Sequence, residues 1–166
     1  MSRGGTGLTL LLAGIMAFAA PAAAAGSSFS LGYGTRLIMN GEWGSGFEGA
    51  LFLGLWKQGG VHVDIDLVSK SGAFPSGDGL ILDMGLWKAF GSGSSRSVAM
   101  IGFSFGEGQP TGADLNGFGM HFGFRQEFWF SKHFGIYGRA LLRLWLDAKE
   151  LDAVSPGIGG GASFRF

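Results

Sequence analysis

Cysteine is absent from this chain of 166 residues, proline occurs only 4 times, and charged residues make up 14% of it. Without cysteine there can be no disulfide framework and no thiolate metal site. The acidic and basic residues balance, 12 of each, so nothing offers the basic face that nucleic acid requires. Long apolar runs are missing too, apart from Leu8 to Ala20, which falls short of the about 20 residues that a transmembrane helix needs. Glycine is instead abundant, with 33 residues, and phenylalanine is high at 16. Each glycine weakens a helix interior by about 1 kcal/mol, which argues against a helical protein. Abundant glycine with alternating apolar and aromatic residues suits a tightly curved barrel, where glycine relieves crowding.

The first residues read as a targeting segment. Arg3 gives a charged start, Leu8 to Ala20 an apolar middle, and Pro21 with Ala22 to Ala25 a small-residue cleavage site, the arrangement of a secretory signal peptide. The expected domains are a signal peptide over 1–25 and one barrel domain over 26–166. Removal of the leader leaves eleven basic and twelve acidic residues.

Period-two alternation recurs eight times after Gly26 and predicts eight strands. The clearest is Val61 to Val68, where Val61, Val63, Ile65 and Leu67 alternate with His62, Asp64 and Asp66. The others are expected near Ser28 to Leu37, Phe47 to Trp56, Leu80 to Trp87, Val98 to Phe105, Gly117 to Phe130, Ile136 to Asp147 and Gly157 to Phe166. Connections after the second, fourth and sixth strands are short. Those after the first, third, fifth and seventh are longer and collect Pro75, Pro110 and Pro156. Short periplasmic turns alternating with long outer loops are the pattern of bacterial outer-membrane barrels.

The charges decide between water and lipid outside. A soluble antiparallel barrel keeps its apolar face inward. Here the apolar face has no charge in the middle of any strand. The opposite face carries Arg36, Glu48, Asp64, Asp66, Asp83, Arg125, Glu127, Arg139, Arg143, Asp147 and Arg165, with His62 and His121. A basic side chain facing lipid costs about 2–4 kcal/mol near the midplane, so these eleven must face inward. Eight strands leave an interior just wide enough for side chains to fill. The expected lumen is a polar plug of ion pairs. Phe29, Phe47, Phe90, Phe118, Trp129, Phe130, Phe134 and Phe164 are expected in the interfacial girdles.

These features resemble the small OmpA-type and OmpX-type outer-membrane barrels over Gly26 to Phe166. The fold class implied is all-β, an eight-stranded antiparallel up-and-down transmembrane barrel after a signal peptide. The alternating end of the chain resembles the C-terminal signature of such barrels. That resemblance implies that Gly161, Phe164 and Phe166 are read by the barrel assembly machinery. It also implies outer-membrane lipid and lipopolysaccharide as surroundings, in the bacterial outer membrane.

The function expected is structural or surface-interacting, with four outer loops bearing Glu42, Trp43, Phe74, Glu107, Asp114, Glu150 and Asp152, through which extracellular partners would be met. No enzyme activity, cofactor or metal is expected. Two alternatives have candidate features. Inward glycines such as Gly32, Gly34, Gly85 and Gly159 thin the packing, which would suit a narrow channel for small solutes or ions. Ser104, His121 and Glu127 are the one set that could serve a lipid A-modifying acyl hydrolase or acyltransferase, which needs a nucleophile, a base and an orienting acid. The His-x-Ser motif of lipid A deacylases is absent, since His121 is followed by Phe122 and Gly123. Asp64, Asp66 and His62 share one strand face, yet pairing with Arg125, Arg139 or Arg143 is the expected use of the two carboxylates.

Overall fold

Side chains that alternate between two faces fill an interior with one set and turn the other outward once the sheet curls until its edges meet. The computed structural model of the protein describes residues 26–37, 43–69, 79–91, 93–108, 117–146 and 154–166. They form eight strands: β1 (Ser28–Leu37), β2 (Trp43–Trp56), β3 (Gly59–Ser69), β4 (Gly79–Phe90), β5 (Ser95–Gly108), β6 (Gly117–Trp129), β7 (Phe134–Trp145) and β8 (Val154–Arg165). Each pairs antiparallel with the next, and β8 pairs back onto β1 from Ser28↔Arg165 to Arg36↔Gly157, closing the barrel. Closure leaves no unpaired strand edge, the condition for a sheet to stand in hydrocarbon. A twelve-residue strand rises about 40 Å, or about 30 Å along the axis after a tilt of about 40°, enough to cross a bilayer core.

The strands begin and end close to where alternation places them, with two informative differences. β2 starts at Trp43, four residues before the expected Phe47. Gly44 and Gly46 carry no alternation signal, but the ladder with β1 continues through Thr35↔Ser45 to Leu37↔Trp43. Gly46 is required there by a close approach, since a Cβ on it would lie 1.6 Å from the carbonyl oxygen of Leu67. β5 begins at Ser95, so Arg96 belongs to a strand and not to the preceding turn. The shortest described turn is Lys57-Gln58, where Gln58 takes the left-handed φ of 59°.

The faces are sorted by solvent. Leu31, Leu86, Ile101, Phe103, Phe124 and Ile158 lie on the outer wall, each about half exposed or more, with Ile158 at 65%. Arg36, Glu48, Asp64, Asp66, Asp83, Arg125, Glu127 and Arg143 are buried inside. A water-soluble domain would not leave so continuous an apolar surface uncovered.

Inside, the ion pairs share the lumen with apolar side chains. Ala50, Phe52, Trp87, Ala89, Val98, Met100 and Leu141 form an apolar cluster in the half of the barrel nearer the short turns. These residues share the inward parity of the charges, and apolar packing fills that half at lower desolvation cost than further ion pairs.

Candidate functional site in the barrel lumen

The register brings like charges together within each wall. Glu48 lies opposite Asp66 between β2 and β3, and Asp64 opposite Asp83 between β3 and β4. On the other side Arg125 lies opposite Arg139 between β6 and β7. Like charges directly across a ladder repel. Neither wall is stable alone, so each must be neutralised by the wall it faces.

Arg139 does this for three carboxylates. Its Nη2 sits 2.7 Å from Glu48 Oε2 and 2.7 Å from Asp66 Oδ1, while Nη1 donates to Asp64 Oδ1 at 3.0 Å. Arg143 Nη2 reaches Asp66 Oδ2 and Asp83 Oδ2, each at 2.5 Å. Arg36, from β1, makes a further ion pair with Asp66. Tyr137 donates its hydroxyl to Glu48 Oε1 at 2.6 Å. The bonds run across the lumen and tie the β2–β4 wall to β7 and β1. Burial of such charges is tolerated because each carboxylate is both paired and hydrogen-bonded.

Nearer the short turns a second cluster gathers on Glu127. Arg125 Nε donates to it at 2.9 Å, Arg96 Nε at 2.8 Å and Trp129 Nε1 at 3.0 Å. The Arg125 guanidinium lies between two rings, 3.7 Å from the centroid of Tyr137 and 4.8 Å from that of Phe52. It also donates to the hydroxyls of Ser30 and Ser163, which meet each other across the β1–β8 seam at 3.0 Å. Trp129 therefore points inward, 6% exposed, and is not one of the interfacial girdle residues expected from sequence. Its parity in β6 decides this: Trp129 is in step with Glu127 and Arg125, not with Phe128 and Phe130.

The catalytic candidates separate. Ser104 and His121 do come together, with Ser104 Oγ 3.2 Å from His121 Nδ1. Glu127 does not join them, being held in the other cluster. The acid beside Ser104 is Asp83, to which the hydroxyl donates at 2.6 Å. The far nitrogen of His121 meets His62 Nε2 at 3.3 Å, and His62 Nδ1 meets Asp64 Oδ2 at 2.6 Å. The result is a buried relay, Asp64–His62–His121–Ser104–Asp83. Ser104 has a single hydrogen to give, with Asp83 and His121 both beside its oxygen. The shorter bond, to Asp83, takes it. Ser104 is 0% exposed, so its oxygen meets no substrate from lipid or water.

The inward glycines do not open a passage. A Cβ on Gly32 would lie 2.3 Å from the Tyr137 hydroxyl, and one on Gly159 would lie 2.5 Å from Glu48 Oε2. Large side chains from across the lumen occupy the space that these glycines leave. Toward the long loops a cavity of about 10 Å³ is lined by Thr35, Arg36, Glu48, Asp66, Arg139 and Arg143, among others. That is room for about one water.

Asp147 falls outside the described residues, as do residues 1–25 and the long-connection residues Glu42, Phe74, Asp114, Glu150 and Asp152. Arg165 is placed in the lumen mouth but pairs with no carboxylate among the described residues, and stacks instead over Trp129 at 3.8 Å. Phe164 and Phe166 lie exposed at the turn end, and Gly161 faces inward opposite Gly32. Among the described residues no group of acids or histidines is arranged to hold a metal ion.

Comparison with solved structures places this architecture. The N-terminal β-barrel domain of Pseudomonas aeruginosa OprF superposes with a TM-score of 0.61 at 13% identity, covering 85% of this chain and 99% of that one. The fold is that of the small outer-membrane barrels. The same barrel is seen in Yersinia pestis Ail in a phospholipid bilayer nanodisc, with a TM-score of 0.54, 16% identity and coverage of 86% and 99%. Neisserial surface protein A gives a TM-score of 0.55 at 12% identity, with 85% and 96% covered. No protein-family model and no curated protein matches the sequence. Likeness in backbone at such low identity shows the shared barrel fold alone.

Sequence reading missed Arg96, Tyr137, Ser30, Ser163 and the His62–His121 contact. Parity alone places Tyr137, Ser30 and Ser163 inward; no signal marks that their partners come from three other strands.

Proposed function

We propose that the protein is an integral outer-membrane barrel with a structural and surface-interacting role, exported by a cleaved leader over 1–25. The cross-lumen ion-pair plug carries this reading. Four arginines and five carboxylates are buried in the interior among the described residues, and a cavity lined by Arg36, Glu48, Asp66, Arg139 and Arg143 is water-sized. A barrel so filled supports neither solute passage nor acyl chemistry at a buried Ser104, and leaves the long connections as the surface with freedom to vary. The short turns face the periplasm and the long loops the exterior, as in barrels of this type.

Charge narrows the kind of partner. Ail has been solved with the heparin analogue sucrose octasulfate. In this chain the long connections and the strand ends beside them carry seven acids, among them Glu42, Glu107 and Asp114, against Lys70 and Lys149. That balance favours a cationic partner, or divalent cations bridging to lipopolysaccharide phosphates, over a polysulfated one.

The test combines fractionation with conductance. The expressed protein is expected in the outer-membrane fraction, with a heat-modifiable electrophoretic shift. Purified barrel in planar bilayers is expected to give no stepwise current. Steady single-channel steps at neutral pH would replace the structural reading with a channel.

A further inference from the structure

Charge outside the plug is sorted by end of the barrel. Lys57, Lys88, Arg96, Lys132 and Arg165 stand at the turn end, with Arg125 just inside, against one acid, Glu127. Glu127 is already bound by Arg125, Arg96 and Trp129. Among the described residues the turn end therefore holds more positive than negative side-chain charge.

Arg165 is where that excess is least satisfied. Its guanidinium carbon lies over the Trp129 ring, 3.8 Å from the centroid, while that of Arg96 approaches the same ring at 6.0 Å. Its Nε is buried with no hydrogen-bond partner, and no carboxylate among the described residues reaches it. The neighbouring His133 holds the Arg165 backbone, Nδ1 lying 3.0 Å from the Arg165 carbonyl oxygen. Lys132 is exposed on the same turn.

We propose that Arg165, carried on the Trp129 ring, forms an anion site for a phosphate group, with Lys132 on its rim. A planar guanidinium fixed by a ring offers two parallel donors, which match phosphate oxygens. The position favours the phosphodiester of a lipid headgroup. Phe130 and Phe134 follow directly on the outer wall, 67% and 41% exposed with ring centroids 6.1 Å apart. Aromatic rings so exposed at a strand end mark the hydrocarbon boundary, just beyond which headgroup phosphates lie. The inference rests on the transmembrane placement but not on a structural role, so a conducting barrel would leave it intact.

The experiment uses the full barrel in alkyl maltoside micelles, which contain no phosphate, with the Trp129 indole resonance assigned by Trp129→Phe. Phosphatidylglycerol is titrated in one arm and inorganic phosphate at constant ionic strength in another. A saturable shift with phosphatidylglycerol, weakened at least tenfold in Arg165→Gln, is the expected result. A shift with inorganic phosphate alone supports the same site with a small anion as its ligand. No shift in either arm overturns the proposal, as does an equal response from wild type and Arg165→Gln. Heat-modifiable mobility is recorded for each variant, which separates loss of fold from loss of binding. Should Arg165→Gln fail to fold, Arg165→Lys decides: it keeps the charge but loses the planar fork, and an affinity equal to wild type counts against the site.

Discussion

Arg139 is the side chain on which the largest number of buried charges depend. It alone touches Glu48, Asp64 and Asp66 together. Arg139→Ala would leave three carboxylates on one wall, each directly opposed to another acid across a ladder. Removing one partner of a buried pair costs about 3–5 kcal/mol, so urea unfolding in vesicles should show a loss at least that large. Ser104→Ala makes a contrasting case. Asp83 keeps Arg143, and the loss should be about 1–2 kcal/mol with lipid A acylation unchanged, read by mass spectrometry of extracted lipid A. Glycine gives the third residue-scale test. Gly32→Ala drives a methyl into the Tyr137 hydroxyl and the Gly160 carbonyl oxygen, and should cost about 1–3 kcal/mol in the same assay. Gly138→Ala, whose added Cβ meets nothing within 4 Å, should stay within about 0.5 kcal/mol.

At the scale of the strand, parity separates a position that lipid sees from one that the lumen sees. Ile101 and Gly102 are adjacent in β5, yet Ile101 is 46% exposed on the belt while Gly102 packs against Met84 and Gly85 of β4. Ile101→Arg would place a cation in hydrocarbon near mid-strand and should destabilise by about 2–4 kcal/mol, read as a shift in the urea midpoint in vesicles. Phe90→Arg, at the turn end of β4, should cost only about 0–1 kcal/mol in the same measurement. Equal costs at both sites would mean that the outer wall does not stand in a bilayer. Strand parity also explains how much of the site was legible. Arg36, Glu48, Asp64, Asp66, Asp83, Arg125, Glu127, Arg139 and Arg143 were all assignable to one face from alternation. Trp129 was misplaced because aromatic identity was weighed above its step with Glu127. Arg96 was hidden because glycines and serines before it read as a turn.

At the scale of the molecule, the ion pairs act as cross-braces. The acids lie on β2, β3 and β4, and most of the arginines that bind them lie on β7 with Arg36 on β1. The bonds from Arg139 and Arg143 to Asp66 join β7 to β3, on opposite sides of the cylinder, adding to the hydrogen-bonded seam between β1 and β8. Protein folded in vesicles should therefore give no conductance steps. The variant Arg139→Ala with Arg143→Ala, which removes the braces, should show intermittent current if it folds. A silent double variant with native electrophoretic mobility would mean that the apolar cluster around Trp87 and Met100 closes the lumen alone.

Alternation with a period of two, the alternating lengths of the connections and the confinement of charge to one face determined the eight strands, the closed sheet and the side that meets lipid. Those properties are local or statistical along the chain, so the order of residues contains them. Which carboxylate meets which guanidinium is not local. It depends on register, which sets Glu48 against Asp66 and Arg125 against Arg139, and on curvature, which carries Arg139 to three acids across the lumen. Ser104 lies beside His121 rather than His121 beside Glu127 for the same reason: side chains of one strand face project in line, and only the neighbouring strands decide what they touch.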